Sequence, residues 1–452
     1  LVFSSIEFLL CFLPVFFILY ALTPDRYKNI TLLAGSLIFY ALGEPHYLAL
    51  LLISITVNHI VGRVLGGKGR HRILLSIAII GNVGVLFAFK AGITGMELPL
   101  GISFYTFQIL SYLIDVYRGD IEAEHSFVKT AAYVTMFPQL VAGPIVNYGE
   151  VSAALSRRKM TWRSVQDGLK IFTLGLIAKV LLADRVGLLW NEVQVRGFES
   201  ISTPLAWLAA YAYSLKIYFD FYGYSLMALG LGTMLGFTLP QNFQTPYMAK
   251  SVREFYRRWH ITLGRWFRNY VYIPLGGSRN GMLCTVRNLL IVWALTALWH
   301  GSTGNFLLWG IVLWAIIVAE RLIKSVLDRH PIDGKNIWQQ MVLLPHLYLC
   351  LVIPVTWMLF AITDVNQLWV YLGRMFGTVQ QYAVLQNDWR IALGSYGVLL
   401  ALGFIGCTPL VGKAYQKWKD SMPVTVILAV LFWVCVWRIM VEGNNPFMYF
   451  KF

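Results

Sequence analysis

The sequence predicts an all-α polytopic integral membrane protein, and three observations carry that reading. Hydrophobic residues make up 58% of the 452-residue chain and charged residues 13%, against roughly 45–50% and 25% in soluble domains. Apolar runs of helical length recur from one end to the other, separated by short basic loops. Aromatic residues reach 15%, with 16 Trp and 24 Tyr, which suits a chain with many membrane–water boundaries, where amphipathic rings collect. A hydrocarbon core of roughly 30 Å takes about 20 apolar residues to cross, fewer where protein covers the segment, which gives about ten to twelve transmembrane helices. No repeat, low-complexity tract or flexible linker interrupts the pattern, so residues 1–452 are expected to form a single domain.

In chain order, spans are expected over 6–22, 30–42, 47–65, 73–89, 104–116, 127–146, 169–190, 204–237, 282–299, 306–327, 341–362, 391–410 and 424–441. Residues 6–22 follow no basic stretch and precede no small-residue cleavage site, and so read as a retained span. The run 30–42 is stopped by Gly43 and Pro45. Within 127–146, Pro138 and Pro144 each remove a backbone donor, so the segment is kinked or broken, and the groups it frees need protein partners. Asp115, Lys179, Asp184, Lys216, Asp220 and Glu320 fall inside spans. Such charges face protein or a cavity.

The segment LPQNFQTPY, 239–247, is too polar and too proline-bounded to cross a bilayer. After it, Trp259, Trp266, Phe267 and Tyr270 alternate with Arg257, Arg258, Arg265 and Arg268. That pattern reads as an amphipathic helix lying in the cytoplasmic interface, anchored by its rings.

The formal charge of +15 sits in short loops, the positive-inside pattern, and does not form a nucleic-acid footprint. Arg63, Lys68, Arg70 and Arg72 form one such loop, and Arg157, Arg158, Lys159 and Arg163 another. Between 250 and 287, eight Lys and Arg residues including Arg253, Arg257, Arg258 and Arg265 face one acid, Glu254. These three stretches are assigned to the cytoplasm and Asp120, Glu122 and Glu124 to the opposite side. The five cysteines have no C-x-x-C spacing and read as small buried hydrophobes.

Chemistry concentrates in residues 251–310, where a basic, tryptophan-rich segment runs into an apolar helix ending in Trp299-His300-Gly301. An ionisable side chain at membrane depth is a functional-site hypothesis by default, and this stretch carries two, His260 and His300. A neutral imidazole accepts a proton near neutral pH, its ordinary pKa being about 6.5. The other reading is an interfacial histidine satisfied by a carbonyl. The arginines beside it are suited to the phosphates of an anionic donor. In LPLGISFYTFQILSYLIDVYRG, 98–119, Gln108, Ser111 and Asp115 fall at helical spacing, either packed in a bundle or walling a polar cavity. No metal site is expected: there is no H-x-x-x-H or H-E-x-x-H. A G-x-S-x-G elbow and a Walker loop are absent as well.

Taken together, FSSIEFLLCFLPVFF, LPLGISFYTFQILSYLIDVYRG, MFPQLVAGPIV, REFYRRWHITLGRWFRNYVYIPLGGSR, ALWHG and the terminal NNPFMYFKF resemble the membrane-bound O-acyltransferases. The likeness is to the bacterial branch active in alginate and other polysaccharide O-acetylation. It implies that fold, with re-entrant and interfacial helices around a central tunnel, in a bacterial inner membrane. It implies acyl transfer from a cytoplasmic thioester, acetyl-CoA, with no bound cofactor, to a hydroxyl acceptor or a periplasmic acetyltransferase partner, the polysaccharide being reached indirectly. It makes His300 the general base and His260 a second polar site residue. Arg253, Arg257, Arg258, Arg265, Trp259, Trp299, Asn305, Gln108 and Asp115 are the donor-binding or tunnel candidates. Trp299, Asn305 and His260 are the candidate donors to a developing oxyanion. The family member acting on alginate is longer, so some of its helices are expected to be missing at the C-terminal end. A transporter or flippase, and an inert scaffold for an extracytoplasmic acetyltransferase, are the rival readings. Broken helices and buried charges suit a transporter equally well, but the repeats a transporter would show are not seen.

Overall fold

The computed structural model describes residues 2–69, 71–141, 143–327, 343–378, 385, 387–443 and 447, and among them every regular element is helical. The terminal NNPFMYFKF motif, apart from Phe447, and Arg70 lie outside the described residues. The chain divides into two compact units. The first comprises Leu1–Ile177, Tyr222–Gln241 and Thr425–Lys451; the second comprises Ala178–Phe221 and Asn242–Val424.

The first unit contains α1 (Leu13–Leu22), α2 (Lys28–Gly43), α3 (Leu48–Leu65), α4 (Arg72–Lys90), α5 (Ile102–Arg118), α6 (Phe127–Thr135), α7 (Phe137–Leu140), α8 (Tyr148–Ser156) and α9 (Trp162–Ile177). The expected span 127–146 is broken as its prolines require, into α6, α7 and an irregular return. The freed groups find protein partners: the Phe137 N–H donates to Ser36 Oγ at 3.2 Å, and Tyr133 Oη donates to the Val146 carbonyl at 2.8 Å. At Gly143 a Cβ would lie 2.4 Å from the Pro138 oxygen, so only glycine lets the return pass. Helix α9 meets the last part of α11 (Thr203–Met234) backbone to backbone. A Cβ on Gly168 would approach the Gly230 oxygen to 2.5 Å, and one on Gly175 the Gly223 oxygen to 2.4 Å. Small residues permit such contact where lipid supplies no hydrophobic drive.

The second unit contains α10 (Asp184–Arg196), the first part of α11, and two short helices, α12 (Val252–Arg258) and α13 (Ile261–Phe267). It continues with α14 (Gly281–His300), α15 (Gly304–Leu327), α16 (Leu344–Ala361), α17 (Val365–Phe376), α18 (Asp388–Gly406) and α19 (Pro409–Trp418). Helix α20 (Met422–Glu442) runs from this unit into the first. Pro354 lies inside α16 and removes the donor that the Cys350 carbonyl would use; Tyr211 Oη donates to that carbonyl instead, at 3.2 Å. The buried Lys179 Nζ is 2.6 Å from Asp184 Oδ1 and 2.8 Å from Asp220 Oδ1, so these intramembrane charges face one another, as expected.

Seven helices among the described residues are long and apolar enough to cross a bilayer: 45–65, α4, α14, α15, α16, α18 and α20. The other expected spans are shorter, such as α2 with 16 residues and α9 with 16, or carry charge, as α11 does with Lys216 and Asp220. Helix α5 is buried along nearly its whole length. A helix covered by protein needs neither full length nor an apolar surface.

Three local expectations are corrected. The stretch 252–272 is not one interfacial helix: it breaks at His260, whose φ is +43°. Trp259, Trp266 and Phe267 are buried in protein and do not act as lipid anchors. Of the cysteines, Cys407 and Cys435 are buried, whereas Cys11 and Cys350 are exposed on apolar helices; all five are free.

Candidate active site

The site is built on α12, the turn after it, and the α14–α15 hairpin. Helix α12 is only seven residues long, and its N-terminal donors are met by three side chains. Ser251 Oγ accepts the Glu254 N–H at 3.0 Å, and Glu254 Oε2 accepts the Lys250 N–H at 3.0 Å. From α15, Glu320 Oε1 accepts the Val252 N–H at 2.6 Å and Oε2 the Arg253 N–H at 3.1 Å. Carboxylates are favoured here because the helix N-terminus carries partial positive charge. Arg253 and Arg257 share the exposed face of α12, one turn apart. Arg258 Nη2 is bound to Glu254 Oε1 at 2.5 Å, and Arg265, on α13, is half-buried.

The helix delivers Trp259 and His260 into the interior. Trp259 packs against Phe243, Phe255 and Trp357 at centroid distances of 5.1, 5.6 and 4.9 Å. His260 takes the left-handed conformation, uncommon for a residue with a Cβ and found at functional sites where the surroundings enforce it. They do so here through backbone pairing with the 239–247 loop: the Gln244 N–H donates to the Arg258 carbonyl at 3.0 Å and the Ile261 N–H to the Asn242 carbonyl at 2.9 Å. The imidazole is 3% exposed, edge-on to Phe221 at 4.7 Å. Burial pushes its pKa down to about 3, so it is neutral at physiological pH. The cause is desolvation.

His300 is the last residue of α14 and is 4% exposed. Its ring is enclosed by Trp299 at 4.8 Å, Phe360 at 5.1 Å, Trp309 at 5.3 Å and Phe306 at 6.3 Å. Trp299 also lies 6.0 Å from the His260 ring, so the two histidines flank one indole. The hairpin is closed by small residues: a Cβ on Gly310 would come within 2.9 Å of both Ala297 Cβ and the Trp293 oxygen, and one on Gly301 within 2.5 Å of the Phe306 ring. Asn305 is fully buried and uses its amide to hold the end of α16, donating to the Leu359 carbonyl at 3.3 Å and the Phe360 carbonyl at 3.0 Å. Its donors are therefore spent on positioning the Phe360 wall. The Trp309 indole N–H is buried and has no acceptor among the described residues.

Of the predicted residues of the second unit, Trp259, His260, Trp299, His300 and Asn305 thus meet at one set of aromatic walls, whereas Arg253 and Arg257 lie on the exposed face of α12. Gln108 and Asp115 lie on α5 of the first unit, both buried. Gln108 has no partner for its amide among the described residues, and Asp115 has one. Sequence reasoning missed Trp309, Phe360, Glu320 in its capping role, and Asn242. A second-unit cavity of 270 Å³ is lined by residues including Tyr247, Phe255, His346 and Cys350 and by neither His260 nor His300. No group of three or more metal-ligating side chains occurs among the described residues.

The sequence pattern of the membrane-bound O-acyltransferase family matches residues 120–360, which include both histidines and most of their enclosure. The chain belongs to the membrane-bound O-acyltransferase family. It is therefore a multi-pass membrane O-acyltransferase of the bacterial inner membrane. The chain is 41% identical over 320 residues to a probable alginate O-acetylase AlgI of Pseudomonas fluorescens; that match covers 69% of this chain and 64% of the relative. With the probable alginate O-acetylase AlgI of Pseudomonas putida it is 32% identical over 507 aligned positions, spanning 100% of both chains. The additional residues of that relative accordingly fall within the aligned range. A peptidoglycan O-acetyltransferase of Helicobacter pylori is 34% identical over 69% of each chain.

Proposed function

We propose that this O-acyltransferase moves an acetyl group from cytoplasmic acetyl-CoA to a hydroxyl, either on an exopolysaccharide of the alginate kind or on a periplasmic partner that passes it on. The observation that carries the reading is His300, a buried imidazole inside an aromatic enclosure in a member of this family. The names of the alginate and peptidoglycan relatives support a polysaccharide acceptor.

In the mechanism we propose, His300 takes the proton of the acceptor hydroxyl as its oxygen attacks the thioester carbonyl. The tetrahedral oxyanion collapses, the C–S bond breaks, and the departing thiolate takes the proton back from His300. General base catalysis of this kind contributes typically 10²–10⁴ in rate. Fixed donors meet the oxyanion; Trp309, whose ring centroid is 5.3 Å from that of His300 and whose buried N–H has no acceptor among the described residues, is the candidate for that role. The rings of Trp299, Phe306, Trp309 and Phe360 exclude the water that would hydrolyse the thioester. Arg253 and Arg257 on the exposed face of α12 gather the anionic donor.

Proteoliposomes supplied with acetyl-labelled CoA test the reading. Label is expected as an alkali-labile ester on the polysaccharide or partner, with free CoA formed in equal amount. Intact thioester crossing the bilayer without ester formation would favour a flippase and contradict the proposal.

A further inference from the structure

We propose that Asn242 is a positioning residue for this reaction: its amide oxygen holds His260 in the tautomer with the proton on Nδ1, so that Nε2 serves the site as a hydrogen-bond acceptor. The assignment rests on the functional reading above only for its catalytic consequence; the tautomer follows from geometry alone.

Asn242 stands 18 positions before His260, on the 239–247 loop, and is tied to the His260 turn by the backbone bond from the Ile261 N–H. Its side chain is 1% exposed. Asn242 Oδ1 lies 2.8 Å from Thr262 Oγ1, 3.3 Å from the Thr262 nitrogen and 3.2 Å from His260 Nδ1. A backbone N–H is only a donor, so the amide atom facing it is the oxygen; turning the amide over would set NH₂ against N–H. With an oxygen beside it, Nδ1 bears the proton, and a neutral imidazole then carries its lone pair on Nε2. Burial keeps the ring neutral.

The consequence revises the division of labour between the histidines. His260 has no Nε2–H to give to an oxyanion. It accepts instead, from the O–H of the acceptor substrate, and so orients the attacking hydroxyl. The Asn242 Nδ2 hydrogens, buried and without an acceptor among the described residues, are the donors at this corner of the site.

The test uses the full chain in liposomes, labelled with ¹⁵N-histidine, with the His260 signals assigned by difference against His260→Asn. Solid-state NMR near neutral pH is expected to show a protonated Nδ1 and an unprotonated Nε2. Asn242→Leu is expected to lose that tautomer preference and at least about tenfold in kcat, as a mis-set tautomer does in other histidine enzymes, with donor KM little changed. Asn242→Asp keeps the acceptor oxygens, and should keep the tautomer and recover most of kcat. A wild-type His260 protonated on Nε2 would overturn the proposal, as would an Asn242→Asp variant as impaired as Asn242→Leu at equal abundance. If Asn242→Leu fails to accumulate, the wild-type spectrum and the Asp variant decide the matter. Because the spectrum does not depend on turnover, an inactive wild type with the expected tautomer would count against the functional reading alone.

Discussion

Replacing Glu320 by alanine should loosen the element that carries His260, although Glu320 lies on another helix. Its carboxylate accepts the Val252 and Arg253 N–H groups at 2.6 and 3.1 Å and the Tyr348 hydroxyl at 3.1 Å. Glu320 is half-buried, so each bond contributes the ordinary net of about 0.5–1.5 kcal/mol. Arg253 is exposed, so water replaces part of what its N–H loses. The charge at the helix N-terminus adds about 0.3–1 kcal/mol. Glu320→Ala should therefore cost about 2–4 kcal/mol. Glu320→Gln retains one acceptor oxygen and should cost about 1–2 kcal/mol. Thermal unfolding in detergent, followed by tryptophan fluorescence, ranks wild type above Gln above Ala. Acetyl transfer by the folded fraction should fall in the same order, because Trp259 and His260 follow α12 directly. Unfolding of Glu320→Ala at the wild-type temperature would refute the capping argument.

Arg257→Ala should raise the donor KM at low ionic strength, with the effect fading as salt rises, whereas Arg258→Ala should do much less because Glu254 already holds that guanidinium; a donor KM unmoved by Arg257→Ala at any salt would leave the cluster as a membrane anchor. His260 stays neutral down to about pH 3, so its titration does not shape the pH–rate profile between pH 5 and 8, and His260→Asn should keep some activity and leave any acid limb in that range where it was. A limb that vanished with His260→Asn would contradict that neutrality. The same lowered pKa has a stability consequence with a definite sign. The unfolded chain takes up a proton near pH 6.5 that the folded chain refuses, so the His260 contribution to stability is present above that pH and declines as pH falls toward about 3.

The membrane class and the broken segment at Pro138 and Pro144 were legible in the sequence because each rests on local chemistry, and the two histidines singled out there are both buried beside one indole. Composition needs no tertiary context, proline breaks a helix wherever it falls, and a histidine in an apolar run stands out. The interfacial helix over 252–272 was misread because alternating Arg and Trp looks the same whether the rings face lipid or protein. What decides is the left-handed turn at His260, enforced by a loop 18 positions upstream. Arg158, expected in a free cytoplasmic loop, is buried, its Nε donating to Tyr20 Oη at 2.7 Å, a contact no local pattern announces. The Gly168/Gly230 and Gly175/Gly223 contacts join segments about sixty positions or less apart, and isolated glycines in apolar helices gave no sign of pairing. Glu320 was read as a buried charge needing a partner, and the partner is the end of another helix. Trp309 and Phe360, the remaining walls of the His300 enclosure, were two aromatics among many.

The most direct measurement compares acetyl transfer from acetyl-CoA by wild type and His300→Ala, reconstituted at equal abundance and shown to be equally folded by their unfolding temperatures. Loss of a positioned general base should lower the rate by at least about a hundredfold while leaving the protein inserted and intact. Equal rates for the two proteins would contradict the account.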